Sequence, residues 1–445
     1  MPAPEGLAAA LRRKLATTQT EKRAASIAGA VVRSGDIVWT DAVGFANADE
    51  IEQATPDHQY RIGSITKTFT AVAVMQLHEE GKLRLSDRLD AHLPVRAHGD
   101  LTIRRMLAHA SGLQREIPGE VWETLEFPKS TEELLAKLEE AELVLDPGER
   151  WHYSNLAYVL LGELIAALSG MPYEEYVERR ILEPLGLQRT SFEPVAPYAI
   201  AYTADPYSDV LHHEPMMVDR SGGLAAAGQL WSTVEDLCRW AAFLAEPDPA
   251  VLESKAVDVM AEVQSMADPY RWQLAWGAGL MLVRSGDRIY VGHDGGTPGY
   301  LANVLVSRDE KIGAAVLTNS GANLAPSELS VALIDELRER FPPEPEPWLP
   351  AEGAPPELAG ILGRWWSEGA EFVLRWRDGR LEARAAQAPE WTPWARFEPL
   401  GDDRFRTVRG REHGEILRVV RDADGTPMKL YWATYPMTRS PQASG

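Results

Sequence analysis

The chain has almost no cysteine. Cys238 is the only one, which excludes an intramolecular disulfide and a multi-cysteine zinc centre. Its setting, Asp236-Leu237-Cys238-Arg239-Trp240, reads as a packed helix face, so a small buried hydrophobe is expected rather than a reactive thiol. No basic run offsets the formal net charge of −21, which would repel nucleic-acid phosphates and anionic lipid. No apolar stretch is long enough to span a bilayer, and Met1 to Leu15 has arginines but no apolar core of signal-peptide length. The expectation is a cytoplasmic protein, or a secreted or periplasmic one if a leader has been removed. Two enzyme signatures are missing as well. No serine has glycine two residues before it, so there is no Gly-x-Ser-x-Gly elbow. His78-Glu79-Glu80 runs into Gly81-Lys82 where a zinc helix would need a second histidine, and His212 and His213 are adjacent, hence on different faces. The reading is of a protein with no metal and no cofactor.

What is present is a soluble composition, with 45% apolar and 25% charged residues in 445, long enough for two or three domains. Ile27 to Val32, the turn Ser34-Gly35-Asp36, and Ile37 to Trp39 predict a β-hairpin. Ser64 to Glu80 carries no proline or glycine, is apolar on most sides and stops at Gly81, which predicts a buried helix. From about residue 85 to 270 the pattern is mainly helical, with Thr131 to Leu145 and Asn155 to Ser169 as clear helices. Strand patterns return in Gly279 to Val283, Arg288 to Val291, Leu301 to Ser307 and Ile312 to Thr318, and a helix is expected from Glu328 to Phe341. Strands at both ends enclosing helices imply one discontinuous domain, residues 1–341. Residues 342–349, rich in proline, form a stiff linker. Period-two segments around tight turns then make 350–445 an all-β domain.

Gly63-Ser64-Ile65-Thr66-Lys67 carries the chemistry. Residues three apart on a helix are neighbours, so Ser64 and Lys67 can share a proton. A serine hydroxyl needs a base, and a lysine serves as one only when its ammonium is disfavoured, as at the N-terminal end of a buried helix. Tyr153-Ser154-Asn155 follows the turn Asp146-Pro147-Gly148-Glu149 and precedes a helix, a junction suited to a site wall. A phenol there can pass protons, and a neighbouring cationic lysine is expected to lower its pKa. Val291-Gly292-His293-Asp294-Gly295-Gly296 runs a strand into glycines that let a substrate approach the main chain.

In this order the three elements resemble the serine β-lactamase and penicillin-binding-protein superfamily. Ser64-Ile65-Thr66-Lys67 is similar to its first motif and Tyr153-Ser154-Asn155 to the Tyr-x-Asn form of its second, while His293-Asp294-Gly295 stands in place of Lys-Thr-Gly. The Tyr-x-Asn form points to the class C-like branch, and Leu107 to Leu113, Leu182 to Leu187 and Ser221-Gly222-Gly223-Leu224 resemble framework segments of the family. The resemblance implies an α+β fold, an antiparallel sheet flanked by helices beside an all-helical region, as in β-lactamases and transpeptidases. The tail, with Gly363-Arg364-Trp365-Trp366, looks like a C-terminal lipocalin-like barrel.

By position, the resemblance makes Ser64 the acylated nucleophile and gives Lys67 and Tyr153 the acid/base work. Asn155, His293, Gly295 and Gly296 become substrate-binding, with the oxyanion held by the N–H groups of Ser64 and Gly296. Which of Lys67 and Tyr153 takes the first proton stays open. Where the family lysine gives a permanent charge, His293 gives one only when protonated, so activity on anionic substrates is expected to vary with pH near about 6 to 7. His-x-Gly is also similar to the pattern of the D-aminopeptidase-like serine peptidases and esterases of this branch, and this resemblance implies a D-amino-acid-type peptidase or esterase ahead of a weak β-lactamase or a penicillin-binding sensor without turnover. The expected partners are a small-molecule or short-peptide substrate, no nucleic acid and no membrane span, with homo-oligomerisation left open.

Overall fold

Two segments far apart in the sequence pair directly. In the computed structural model, β1 (Ser26–Arg33) lies antiparallel to β2 (Asp36–Asn47) on one side. On its other side it pairs with a strand from the far end, so that Ile27 faces Thr318 and Arg33 faces Ile312. The structure describes residues 5–124, 127–214, 222–342, 344, 347–350 and 353–441. Ser221 of the framework segment and Pro343, Pro345 and Glu346 of the proline-rich stretch lie outside the described residues. The chain forms two compact units, Met1–Glu344 and Pro345–Gly445.

The first unit is built on β1, β2, β3 (Met281–Ser285), β4 (Arg288–Thr297), β5 (Tyr300–Ser307) and β6 (Ile312–Thr318). Among the described residues its sheet has nine strands, in the order Glu52–Gln53, β2, β1, β6, β5, β4, β3, Leu274–Trp276, Ser265–Met266. Alternation of side chains explains why both faces are covered. Ile27 and Val31 of β1, with Ala314 and Val316 of β6, pack with Leu7, Leu11 and Leu15 of α1 (Glu5–Lys22) and Leu333 of the C-terminal helix of this unit. Ala28, Ala30 and Val32, with Ala315 and Leu317, face the opposite way. There they join the core built from α2 (Thr66–Glu79), α3 (Asn155–Ser169) and α4 (Val234–Ala245). The C-terminal helix, α5, spans Pro326–Arg340. Cys238 on α4 is buried in this core, and burial pushes its thiol pKa up to about 12.

The helix expected over Thr131 to Leu145 stops at Glu140. Ala141 turns extended, and Leu143 instead bridges Leu113. The strand beginning at Arg288 runs through the glycines to Thr297.

The second unit is an eight-stranded antiparallel sheet among the described residues, β7 (Gly363–Ser367), β8 (Ala370–Arg377), β9 (Arg380–Ala385), β10 (Ala395–Gly401), β11 (Arg404–Arg409), β12 (Ile416–Arg421), β13 (Pro427–Trp432) and β14 (Tyr435–Met437). It curls into a nearly closed barrel. Trp366 and Thr438 exchange both main-chain hydrogen bonds, at 2.8 and 2.9 Å, across the seam, and Trp365, Leu374, Leu417 and Leu430 fill the interior.

Leu333 has no exposed surface between α5 and the sheet. Leu333→Ala should destabilise the chain by about 2–5 kcal/mol, whereas exposed Glu328→Ala should change stability by less than about 0.5 kcal/mol. Denaturant unfolding followed by tryptophan fluorescence measures both.

Candidate active site

Strand β4 and the turn before α2 meet main chain to main chain. Gly63 has φ +50, and a Cβ on it would stand 2.8 Å from the Gly296 nitrogen. One on Gly295 would stand 1.9 Å from the Ile62 carbonyl oxygen. Glycine at both positions is what permits the contact. It seats the single turn of 3₁₀ helix, Gly63–Ile65, against β4, with half-buried Ser64 at its centre.

Lys67, one turn into the helix, has no exposed surface. Its Nζ lies 3.0 Å from Ser64 Oγ and donates to the Ala227 carbonyl at 2.6 Å. The rings of Tyr153 and Tyr158 stand 5.0 and 5.6 Å from it. Burial holds its pKa well below the lysine range; the Glu116 carboxylate opposes this and the Arg115 guanidinium adds to it.

Tyr153 is positioned by the helix that follows it. Ser154 caps α3, its hydroxyl accepting the Ala157 N–H at 3.1 Å, and the Tyr153 hydroxyl hydrogen-bonds Ser64. Burial raises the Tyr153 pKa above the usual phenol value, with the bond to Ser64 and the Arg115 charge counteracting in part. The lowered value expected from sequence is thus reversed, because desolvation of the phenolate outweighs the interactions that favour it. His109 stacks on Tyr153 with ring centres 4.1 Å apart. Its Nδ1 accepts the Ser154 N–H at 3.1 Å, leaving the proton of the neutral ring on Nε2. Burial and the neighbouring Lys67 hold the His109 pKa well down.

Asn155 Nδ2 donates to Glu116 Oε1 at 2.7 Å. Glu116 also stands 3.4 Å from Arg115 Nε, and the largely exposed Arg115 guanidinium lies 4.9 Å from the Tyr153 ring centre. His293 departs from its expected role. Only 2% of it is exposed, its ring is edge-on to Trp276 at 5.6 Å, and Nδ1–H donates to the Asp294 carbonyl at 2.5 Å. Burial, then the proximity of Lys67, lowers its pKa to about 3. The ring therefore stays neutral at pH 6 to 7, and the switch expected there is absent. Gly295 packs under Ile62, while Gly296 remains exposed beside Ser64.

The structure thus brings Ser64, Lys67, Tyr153, Asn155 and Gly296 together and encloses His293 behind Tyr153 and Trp276. Sequence reasoning missed Arg115, Glu116, Trp276 and the stacking role of His109. Arg115 and Glu116 lie two and three residues beyond the framework segment Leu107 to Leu113, a signal that could have been followed; Trp276 arrives from a distant strand with no local pattern to mark it.

The chain is similar to several known proteins. The chain is 27% identical over 442 residues to the Beta-lactamase-like protein 2 of Dictyostelium discoideum, covering 88% of this chain and 75% of that one. It is similar to the octameric penicillin-binding protein homologue from Pyrococcus abyssi, with TM-score 0.67 and 25% identity over 97% of this chain and 99% of that one. It is also similar to a D-stereospecific amidohydrolase from Streptomyces sp., with TM-score 0.62 and 26% identity over 75% and 98% of the two chains. A domain of unknown function (DUF7586) matches residues 354–439. The family model described as Beta-lactamase matches residues 11–337, most of the chain, which therefore belongs to the beta-lactamase family.

Proposed function

We propose that this chain is a serine hydrolase that cleaves amide or ester bonds through an acyl-enzyme at Ser64, with D-aminoacyl compounds as its substrate class. The observation that carries the reading is Ser64 Oγ held 3.0 Å from the Nζ of a lysine that has no exposed surface. Burial favours neutral Lys67, whose remaining N–H can stay on the Ala227 carbonyl while its lone pair faces the Ser64 hydroxyl. Lys67 rather than Tyr153 is then the base for acylation, since the raised Tyr153 pKa disfavours a phenolate.

Ser64 Oγ attacks the substrate carbonyl carbon and its proton passes to Lys67. The oxyanion is held by the N–H groups of Ser64 and Gly296. On collapse, the proton returns from Lys67 through the Tyr153 hydroxyl to the departing amine or alcohol. Water then attacks the acyl ester, Lys67 takes a proton from it, and Ser64 regains its own as the carboxylic acid leaves.

Two features support aminoacyl substrates. Glu116 holds a carboxylate beside Asn155, a charge that complements a substrate ammonium. Neutral His293 supplies no fixed cation for the carboxylate of a β-lactam, which weighs against the β-lactamase alternative. The likeness to a D-stereospecific amidohydrolase points the same way.

A fluorophosphonate probe should label the native chain and fail on Ser64→Ala. Lys67→Ala and Tyr153→Phe should each slow turnover by about 10²–10⁴-fold with unchanged circular dichroism. Near-native rates in either would remove that residue from the mechanism.

A D-aminoacyl 4-nitroanilide should release nitroaniline continuously; a single stoichiometric burst would indicate an acceptor without turnover. Acetylating the substrate amine should lower kcat/KM by about 10-fold or more, and Glu116→Gln should erase that difference.

The pH profile follows from the charges around Lys67. Activity needs neutral Lys67, so the rate rises with pH through its pKa. The Lys67 ammonium and the Arg115 guanidinium stand 5.0 and 4.9 Å from one ring centre, hence at most about 10 Å apart. Removing the Arg115 charge raises the Lys67 pKa, so Arg115→Gln should move the acid limb to higher pH by about half a unit after solvent screening. Glu116→Gln should move it to lower pH. Shifts of the same sign in both variants would exclude Lys67 as the titrating base.

A further inference from the structure

A second cavity, of about 900 Å³, shares Trp151 with the wall beside Tyr153 but none of the residues proposed for catalysis. Among the described residues, three arginines line it, Arg104, Arg105 and Arg150, with one acidic residue, Glu149. Two of the three are set in place. Arg105 lies across Gly148, where φ is +89 and a Cβ would stand 3.2 Å from its Nη2. Arg104 reaches over to the sheet edge and donates to Gln264 Oε1 at 3.2 Å.

None of the three forms an ion pair among the described residues. The groove between α1 and α5 differs in this respect, since Glu336 pairs there with both Lys14 and Arg340. In a chain of net charge −21, three arginines lining one cavity with one glutamate form a local positive field, and guanidinium forks match planar oxyanions. Trp151 and Tyr270, the latter 90% exposed, add flat apolar walls.

We propose that this cavity is a binding site for an anionic group, a carboxylate or a phosphate, carried on a planar or apolar body. Arg104 and Arg105 grip the oxyanion, and Trp151 and Tyr270 cover the body that bears it.

Calorimetric titration of the full chain with phthalate, inorganic phosphate and neutral phthalamide tests the site. Phthalate or phosphate should bind at one site per chain, about 10-fold or more tighter than phthalamide, and should weaken as salt rises. The tighter of the two anions identifies the oxyanion that is read. The Arg104→Gln/Arg105→Gln double variant should lose about 10-fold or more in affinity for it while keeping its melting temperature and Ser64 labelling. Glu149→Gln should tighten binding by about 2- to 5-fold, a gain that a folding defect does not produce. Equal binding by the double variant and the native chain, equal affinity for phthalamide, or no binding at tens of millimolar would each overturn the proposal.

Discussion

A lysine without solvent, and without an ion pair among the described residues, is the constraint around which the first unit is arranged. Lys67 is fully buried, and among the described residues its Nζ hydrogen-bonds Ser64 and one main-chain carbonyl. An unpaired ammonium costs several kcal/mol in such surroundings, so the protein has to surround it with groups that tolerate an amine. The apolar sides of α2, the rings of Tyr153 and Tyr158 and the neutral imidazole of His109 do this. The same surroundings raise the Tyr153 pKa and lower that of His293. One desolvated pocket thus sets the protonation of four side chains, and the charged residues, Arg115 and Glu116, stand at its margin.

Much of the fold was legible because its period is short. Ile27 to Val32 and Ile312 to Thr318 are short apolar runs, a local property, and both segments became strands in register with one another. Asn155 to Ser169 was readable to the residue, since a serine cap and a terminal glycine bracket an apolar run. Thr131 to Leu145 was overextended because the bridge between Leu113 and Leu143, a contact distant in sequence, outweighed helical periodicity.

The site was legible in its identities and less so in its environment. Spacing alone put Ser64 beside Lys67. The direction in which each group titrates depends on burial, and burial of His293 comes from Trp276 and Tyr153, which three separate segments bring together. A histidine in place of a lysine was read as a pH-dependent cation; enclosed in this way it is a neutral spacer.

The contact of Gly63 with Gly296, and of Gly295 with Ile62, has a bearing on how such a protein diversifies. Because main chain alone seats the nucleophile, no side chain in the substrate walls is needed to hold Ser64 in register. Residues at positions 115 and 116, at the margin of the pocket, are free to drift under selection for new substrates, while the glycines are frozen. Mutational libraries that vary those walls and spare the glycines should therefore retain a working nucleophile in most of their members.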